Sequence, residues 1–131
     1  MFSLLLAACQ QPLKPSDLSK INGYWEIEQV ILPDGNRKEY KINETVDYFV
    51  IKNDSGFRKK VKPQFDGKYL VNDESEQIKI VTEEGKTYIA YTTDYAKWTE
   101  EIITITDENL VLKNEQDLEY HYKKHLPFSV K

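Results

Sequence analysis

The 131 residues are 40% hydrophobic and 31% charged, which suits one globular domain and excludes a disordered chain or a second large domain. The formal net charge is −4 with acids and bases interspersed, so no basic stripe suited to nucleic acid is evident and no nucleic-acid partner is expected. A single cysteine excludes an internal disulfide.

In chain order, the first element is the short apolar run Phe2 to Ala8, followed at once by Cys9. Seven residues cannot cross a hydrocarbon core, which needs about twenty. The run has the length of the end of a signal-peptide h-region. Leu6-Ala7-Ala8-Cys9 resembles the bacterial lipobox. That resemblance implies diacylglyceration of the Cys9 thiol, cleavage after Ala8, and a membrane partner reached through lipid. Each buried CH₂ contributes about 0.8 kcal/mol, so two or three acyl chains on one residue anchor firmly where one does not. No Lys or Arg precedes the run, which departs from a standard signal peptide. Gln10 follows the cysteine rather than Asp, which by resemblance favours the outer membrane. Pro12 and Pro15 then mark an extended tether.

From Tyr24 onward, short β-type runs alternate with turn residues. The runs are Tyr24 to Leu32, Arg37 to Ile42, Val46 to Lys52, Phe57 to Val61, Gly67 to Val71, Gln77 to Thr82, Lys86 to Thr93, Trp98 to Thr106, Leu110 to Lys113 and Leu118 to Lys123. Pro33-Asp34-Gly35-Asn36, Asn53-Asp54-Ser55-Gly56 and Glu83-Glu84-Gly85 are among the separating turns. Helical signal is confined to about Pro15 to Lys20 and the region near Tyr95. The regular spacing predicts an all-β sandwich or antiparallel barrel.

Gly23-Tyr24-Trp25 resembles the Gly-x-Trp signature of lipocalins, and Thr93-Asp94-Tyr95-Ala96-Lys97-Trp98 is similar to their second signature, with Trp98 where Tyr is usual. Phe65 to Tyr69 and Asp107 to Leu112 add likeness to the small lipocalin-like lipoproteins of Bacteroidetes. The resemblance implies an up-and-down antiparallel β-barrel of about 8–10 strands, with Gly23, Trp25, Thr93, Asp94, Tyr95 and Trp98 as its structural signature. It also implies an arginine packed over the tryptophan, yet Arg37 and Arg58 come too early. Lys123 or Lys124 is the available substitute. The chain thus divides into a signal-peptide remnant (1–8), a lipidated tether (9–20), a barrel domain (21–126) and a tail (127–131).

No catalytic set converges in the sequence, so no enzyme, cofactor or metal is expected. His121 and His125 are four residues apart in a strand pattern, about 13 Å at roughly 3.3 Å per residue, too far to share an ion. Glu83-Glu84 and Glu100-Glu101 put neighbouring side chains on opposite faces and read as solvated. Arg58-Lys59-Lys60 reads as a solvated strand edge. The nine tyrosines stand out. Tyr48, Tyr69, Tyr88, Tyr120 and Tyr122 fall where alternation permits an inward direction, so they are the candidate ligand contacts. Such rings either fill a small barrel or line a cup for a small hydrophobic or amphipathic molecule. The expected function is therefore a cell-envelope lipoprotein with a ligand-binding barrel. The alternative is a filled barrel acting as an envelope interaction module.

Overall fold

The computed structural model describes residues 13–40, 45–64, 66–71 and 74–125, with the backbone alone at 15 and 69–71. Cys9, the segments 1–8 and 127–131, and Phe65 lie outside the described residues. One helical turn, α1 (Pro15–Leu18), runs into a 3-10 turn (Ser19–Ile21). Ten strands follow: β1 (Gly23–Ile31), β2 (Arg37–Glu39), β3 (Val46–Lys52), β4 (Ser55–Pro63), β5 (Tyr69–Val71), β6 (Glu76–Glu83), β7 (Lys86–Thr92), β8 (Lys97–Ile105), β9 (Asn109–Asn114) and β10 (Glu119–Lys124).

Every pairing is antiparallel, and β10 returns to pair with β1, so eight strands close into a barrel in the order β1-β3-β4-β6-β7-β8-β9-β10. The small strands β2 and β5 are added to β1 and β4. Closure removes the unpaired edges that an open sheet would expose. Short turns permit it: Asn53, Glu84 and Asp117 adopt positive φ, and Gly85 completes the tight β6–β7 hairpin. Ser55 and Gly56, expected in a turn, belong to β4. A Cβ on Gly56 would sit 1.7 Å from the Val50 carbonyl oxygen, so only glycine allows β3 and β4 to approach there.

Residues directly opposite each other in paired strands share a face. Trp25 opposes Asp47, Phe49 opposes Arg58, Arg58 opposes Glu76, Ile78 opposes Tyr91, and Ile89 opposes Glu100. All of these point inward. One half of the interior is apolar: Trp25, Phe49, Ile51, Ile78, Ile80, Ile89, Ile102, Leu110 and Leu112 form its core. Ile21 plugs this end, and Leu13 and Leu18 pack against the same cluster. Asn22 Nδ2 donates to the Ile51 carbonyl at 3.2 Å and the Ile51 backbone N–H donates to Asn22 Oδ1 at 2.5 Å, which fastens the lead peptide to β3.

Candidate functional site

The closed end is built around Trp25, fully buried, whose indole Nε1 donates to the Ile21 carbonyl at 2.8 Å. Lys124 Nζ lies 4.6 Å from the ring centroid and donates to the Asn22 carbonyl at 2.8 Å. Lys124 therefore takes the place over the tryptophan for which no arginine is available. Burial lowers its pKa below the ordinary lysine value. Gly23 explains itself through this lysine. Its φ is +121°, and a Cβ there would stand 2.7 Å from Lys124 Nζ. The Gly-x-Trp signature thus clears space for the cation that covers its own tryptophan.

Starting from Asp47, directly opposite Trp25, six strands bring charge and aromatic rings together in the interior. Arg58, on β4, is 9% exposed. Its Nε donates to Glu76 Oε1 at 2.5 Å, and its Nη1 reaches the Tyr91 hydroxyl at 3.4 Å. Nη1 also lies 4.0 Å from Asp47 Oδ2 and 3.8 Å from Glu100 Oε1. The guanidinium carbon sits 4.4 Å from the Tyr91 ring centroid and 5.8 Å from that of Phe49. The Tyr91 hydroxyl donates to Glu100 Oε1 at 2.5 Å, and Lys60 Nζ donates to Asp47 Oδ1 at 2.6 Å. Trp98 stacks on Tyr91 with centroids 5.2 Å apart. Asn114 Nδ2 donates to the Tyr120 hydroxyl at 3.1 Å.

The cluster grades from dry to wet. Asp47, Glu100 and Arg58 side chains are 3%, 8% and 10% exposed, whereas Glu76 is 28% and Lys60 63% exposed. The electrostatics follow that gradient. Burial pushes the Glu100 carboxyl above the usual carboxylate range, against the pull of the Tyr91 hydrogen bond and the Arg58 charge. Burial likewise raises the Tyr91 and Tyr122 phenols well above their ordinary value. For Arg58, burial disfavours the charge, but neighbouring Tyr91, Glu76 and Asp47 more than offset it, so the guanidinium stays protonated.

Of the five tyrosines expected to face inward, Tyr120 and Tyr122 do. Tyr122 is buried and Tyr120 packs on the core. Tyr48 and Tyr88 stand on the outer face instead. Asp47 and Phe49 take the inner positions of β3, and Thr87, Ile89 and Tyr91 those of β7. Tyr48 stacks on Tyr24 across the outside of the barrel, centroids 4.4 Å apart, and meets Phe57 edge-on at 6.0 Å. Tyr69 belongs to β5, and its side chain is outside what is described. Arg58 is a correction: it is an interior residue, not a solvated edge. Glu100 is another, because only its neighbour Glu101 faces away from the interior. A buried charge reads as exposed in sequence whenever its partners come from distant strands.

The second signature divides in the same way. Thr93 holds the β7–β8 turn, its Oγ1 accepting from the backbone N–H of Tyr95 (3.2 Å) and Ala96 (3.1 Å). Asp94 is exposed and Tyr95 is 96% exposed, so these two carry turn geometry only. Trp98 enters the interior. His121 and His125 go to separate carboxylates, Glu119 and Glu26, at 3.1 Å and 3.2 Å.

The lipocalin-like domain family matches residues 21–112. A lipocalin-like protein from Bacteroides uniformis shares the fold: TM-score 0.51 at 12% identity, over 81% of this chain and 99% of that one. An uncharacterized protein from Bacteroides eggerthii is similar at TM-score 0.49 and 14% identity, over 79% and 98% of the two chains. No curated protein matches the chain. With an eight-stranded closed barrel, a Gly-x-Trp entry strand under a covering cation, and a family match over well over half its length, the chain belongs to the lipocalin-like domain family.

Proposed function

We propose that this protein is a non-enzymatic, lipid-anchored barrel of the bacterial cell envelope, placed in the outer membrane, that takes up a small hydrophobic or amphipathic ligand at the charged cluster of its interior. The observation that carries this reading is the buried Asp47–Arg58–Glu76–Tyr91–Glu100 cluster. Desolvating five polar groups is a poor way to stabilise a barrel, since apolar residues of similar size do as well or better. Convergent buried polar groups with perturbed protonation beside aromatic rings are what a ligand's polar end requires. Trp98, Tyr120 and Tyr122 supply the apolar wall. The test is to expose the purified protein to native lipid extract and identify retained species by mass spectrometry. A barrel that emerges empty counts against ligand uptake.

The anchor reading rests on Leu6-Ala7-Ala8-Cys9 and is tested separately. Cys9→Ser should move the protein from the membrane fraction to the soluble fraction of cells. Unchanged fractionation refutes the anchor. Geometry gives the anchor a consequence. Three residues separate Cys9 from Leu13, which packs on the apolar core, and the four steps between them, at about 3.5 Å each, span at most about 14 Å. A lipidated Cys9 thus holds the plugged end toward the bilayer.

The outer aromatic strip of Tyr24, Tyr48 and Phe57 favours a second reading, in which the outside of the barrel binds another envelope protein. Tyr48→Ser should then abolish in-cell crosslinks to that partner while leaving the interior and its ligand untouched.

A further inference from the structure

The three carboxylates of the interior cluster each give one oxygen to a partner. Glu76 gives Oε1 to Arg58, Glu100 gives Oε1 to Tyr91, and Asp47 gives Oδ1 to Lys60. Of their second oxygens, that of Asp47 is buried with no hydrogen-bond partner among the described residues. The Asp47 side chain is 3% exposed and Arg58 Nη1 lies 4.0 Å from Oδ2, while Asp47 also raises the pKa of the buried Tyr122 phenol beside it. A buried carboxylate oxygen left this way costs the full desolvation of an acceptor.

The sign of the cluster is also set. Asp47, Glu76 and Glu100 face only Arg58 and Lys60, and Lys60 lies largely in solvent. With all three carboxylates ionised the five groups carry a formal −1, and burial at Glu100 favours neutralising that charge by a proton or by a cation brought to it. A carboxylate brought here would add like charge and find the Arg58 guanidinium already occupied. An ammonium would bring the total to zero and supply N–H donors, the groups that Asp47 Oδ2 lacks. The surrounding rings favour the same choice. Tyr91 already holds Arg58 and Trp98 against its ring, and Trp98 and Tyr120 line the same interior as further aromatic surface for a cation.

We infer that the interior site is selective for amine ligands: a protonated amine on an aromatic or aliphatic body, held by Asp47 and Glu100 with its apolar part against Trp98 and Tyr120. Arg58 acts as a positioning residue, fixing the three carboxylates. This rests on the reading of the barrel as a ligand binder and adds the chemical class of the ligand.

The experiment titrates the folded domain with three matched probes, phenethylamine, phenethyl alcohol and 3-phenylpropionate, following heat by calorimetry and Trp98 emission. The amine should bind at least about tenfold more tightly than the carboxylate, with the alcohol between them. Asp47→Asn and Glu100→Gln should each lower amine affinity by a larger factor than alcohol affinity, and circular dichroism verifies their folding. Carboxylate binding equal to or tighter than amine binding overturns the amine inference and leaves ligand uptake standing. So does an amine preference that both variants retain. Failure of all three probes, together with an empty barrel after lipid extract, overturns ligand uptake itself.

Discussion

The two halves of the barrel interior solve the same filling problem with opposite chemistry. Around Trp25 the space is closed by branched aliphatic side chains, one ring and one covering lysine, and every polar atom of that tryptophan is satisfied locally. Around Arg58 the space is closed by charges drawn from β3, β4, β6 and β8, with one carboxylate oxygen left without a hydrogen bond. Apolar burial at about 25 cal/mol per Å² makes the first half the source of stability. Buried charge does not do so on balance. The proposed ligand site would account for that cost, and the comparison can be broken experimentally.

The largest effect should come from the apolar half. Trp25→Ala empties the plugged end and should destabilise by about 4 kcal/mol in urea unfolding. Removing the central cation, Arg58→Met, strands three carboxylates and should cost about 3 kcal/mol. The decisive contrast is the joint replacement Asp47→Leu, Arg58→Met, Glu100→Leu. It should recover most or all of that loss while amine binding disappears. If the triple variant is less stable than Arg58→Met alone, the cluster is structural and the contrast between the halves collapses. At the lid, Lys124→Met should cost about 1 kcal/mol and Lys124→Arg close to nothing, because either cation can cover the indole. Gly23→Ala, which forces a side chain against Lys124, should cost about 1–2 kcal/mol.

The smallest effect is in pH. Glu100 has a folded-state pKa above its ordinary value, so the folded state holds its proton more tightly than the unfolded state. Its contribution is present in full below the unfolded pKa and is lost as pH rises through the folded one. The stability difference between wild type and Glu100→Gln should therefore drift against wild type as pH rises above the ordinary carboxylate range. A difference that is flat, or that rises with pH, shows that Arg58 and Tyr91 outweigh burial at this carboxyl.

The reading of strands from sequence and the reading of faces from sequence fared differently, for a physical reason. All ten strand runs appear in the barrel with shifts of a few residues, because turn chemistry and β-branched runs are local signals. The inward face of β3 is not local. In Val46-Asp47-Tyr48-Phe49-Val50-Ile51, hydrophobic alternation permits Tyr48 to face inward and sends Asp47 to solvent. The fold does the reverse, since Lys60 and Arg58 reach Asp47 from the neighbouring strand. Tyr91 went unnoticed and Arg58 read as an edge for the same reason. Only the absent arginine over Trp25 left a trace that could be followed, pointing to the end of the last strand, where Lys124 stands.

The sequence by itself determined the strand count, the Gly-x-Trp entry, the lipobox-like run at Cys9 and the family resemblance, because these are written in short contiguous stretches. Barrel closure through β1 and β10, the choice of Lys124 over Lys123, and the assembly of Asp47, Arg58, Glu76, Tyr91 and Glu100 were decided only by tertiary structure. Each of these joins residues far apart in the chain. A charge has no burial of its own until the strands that neutralise it are in place.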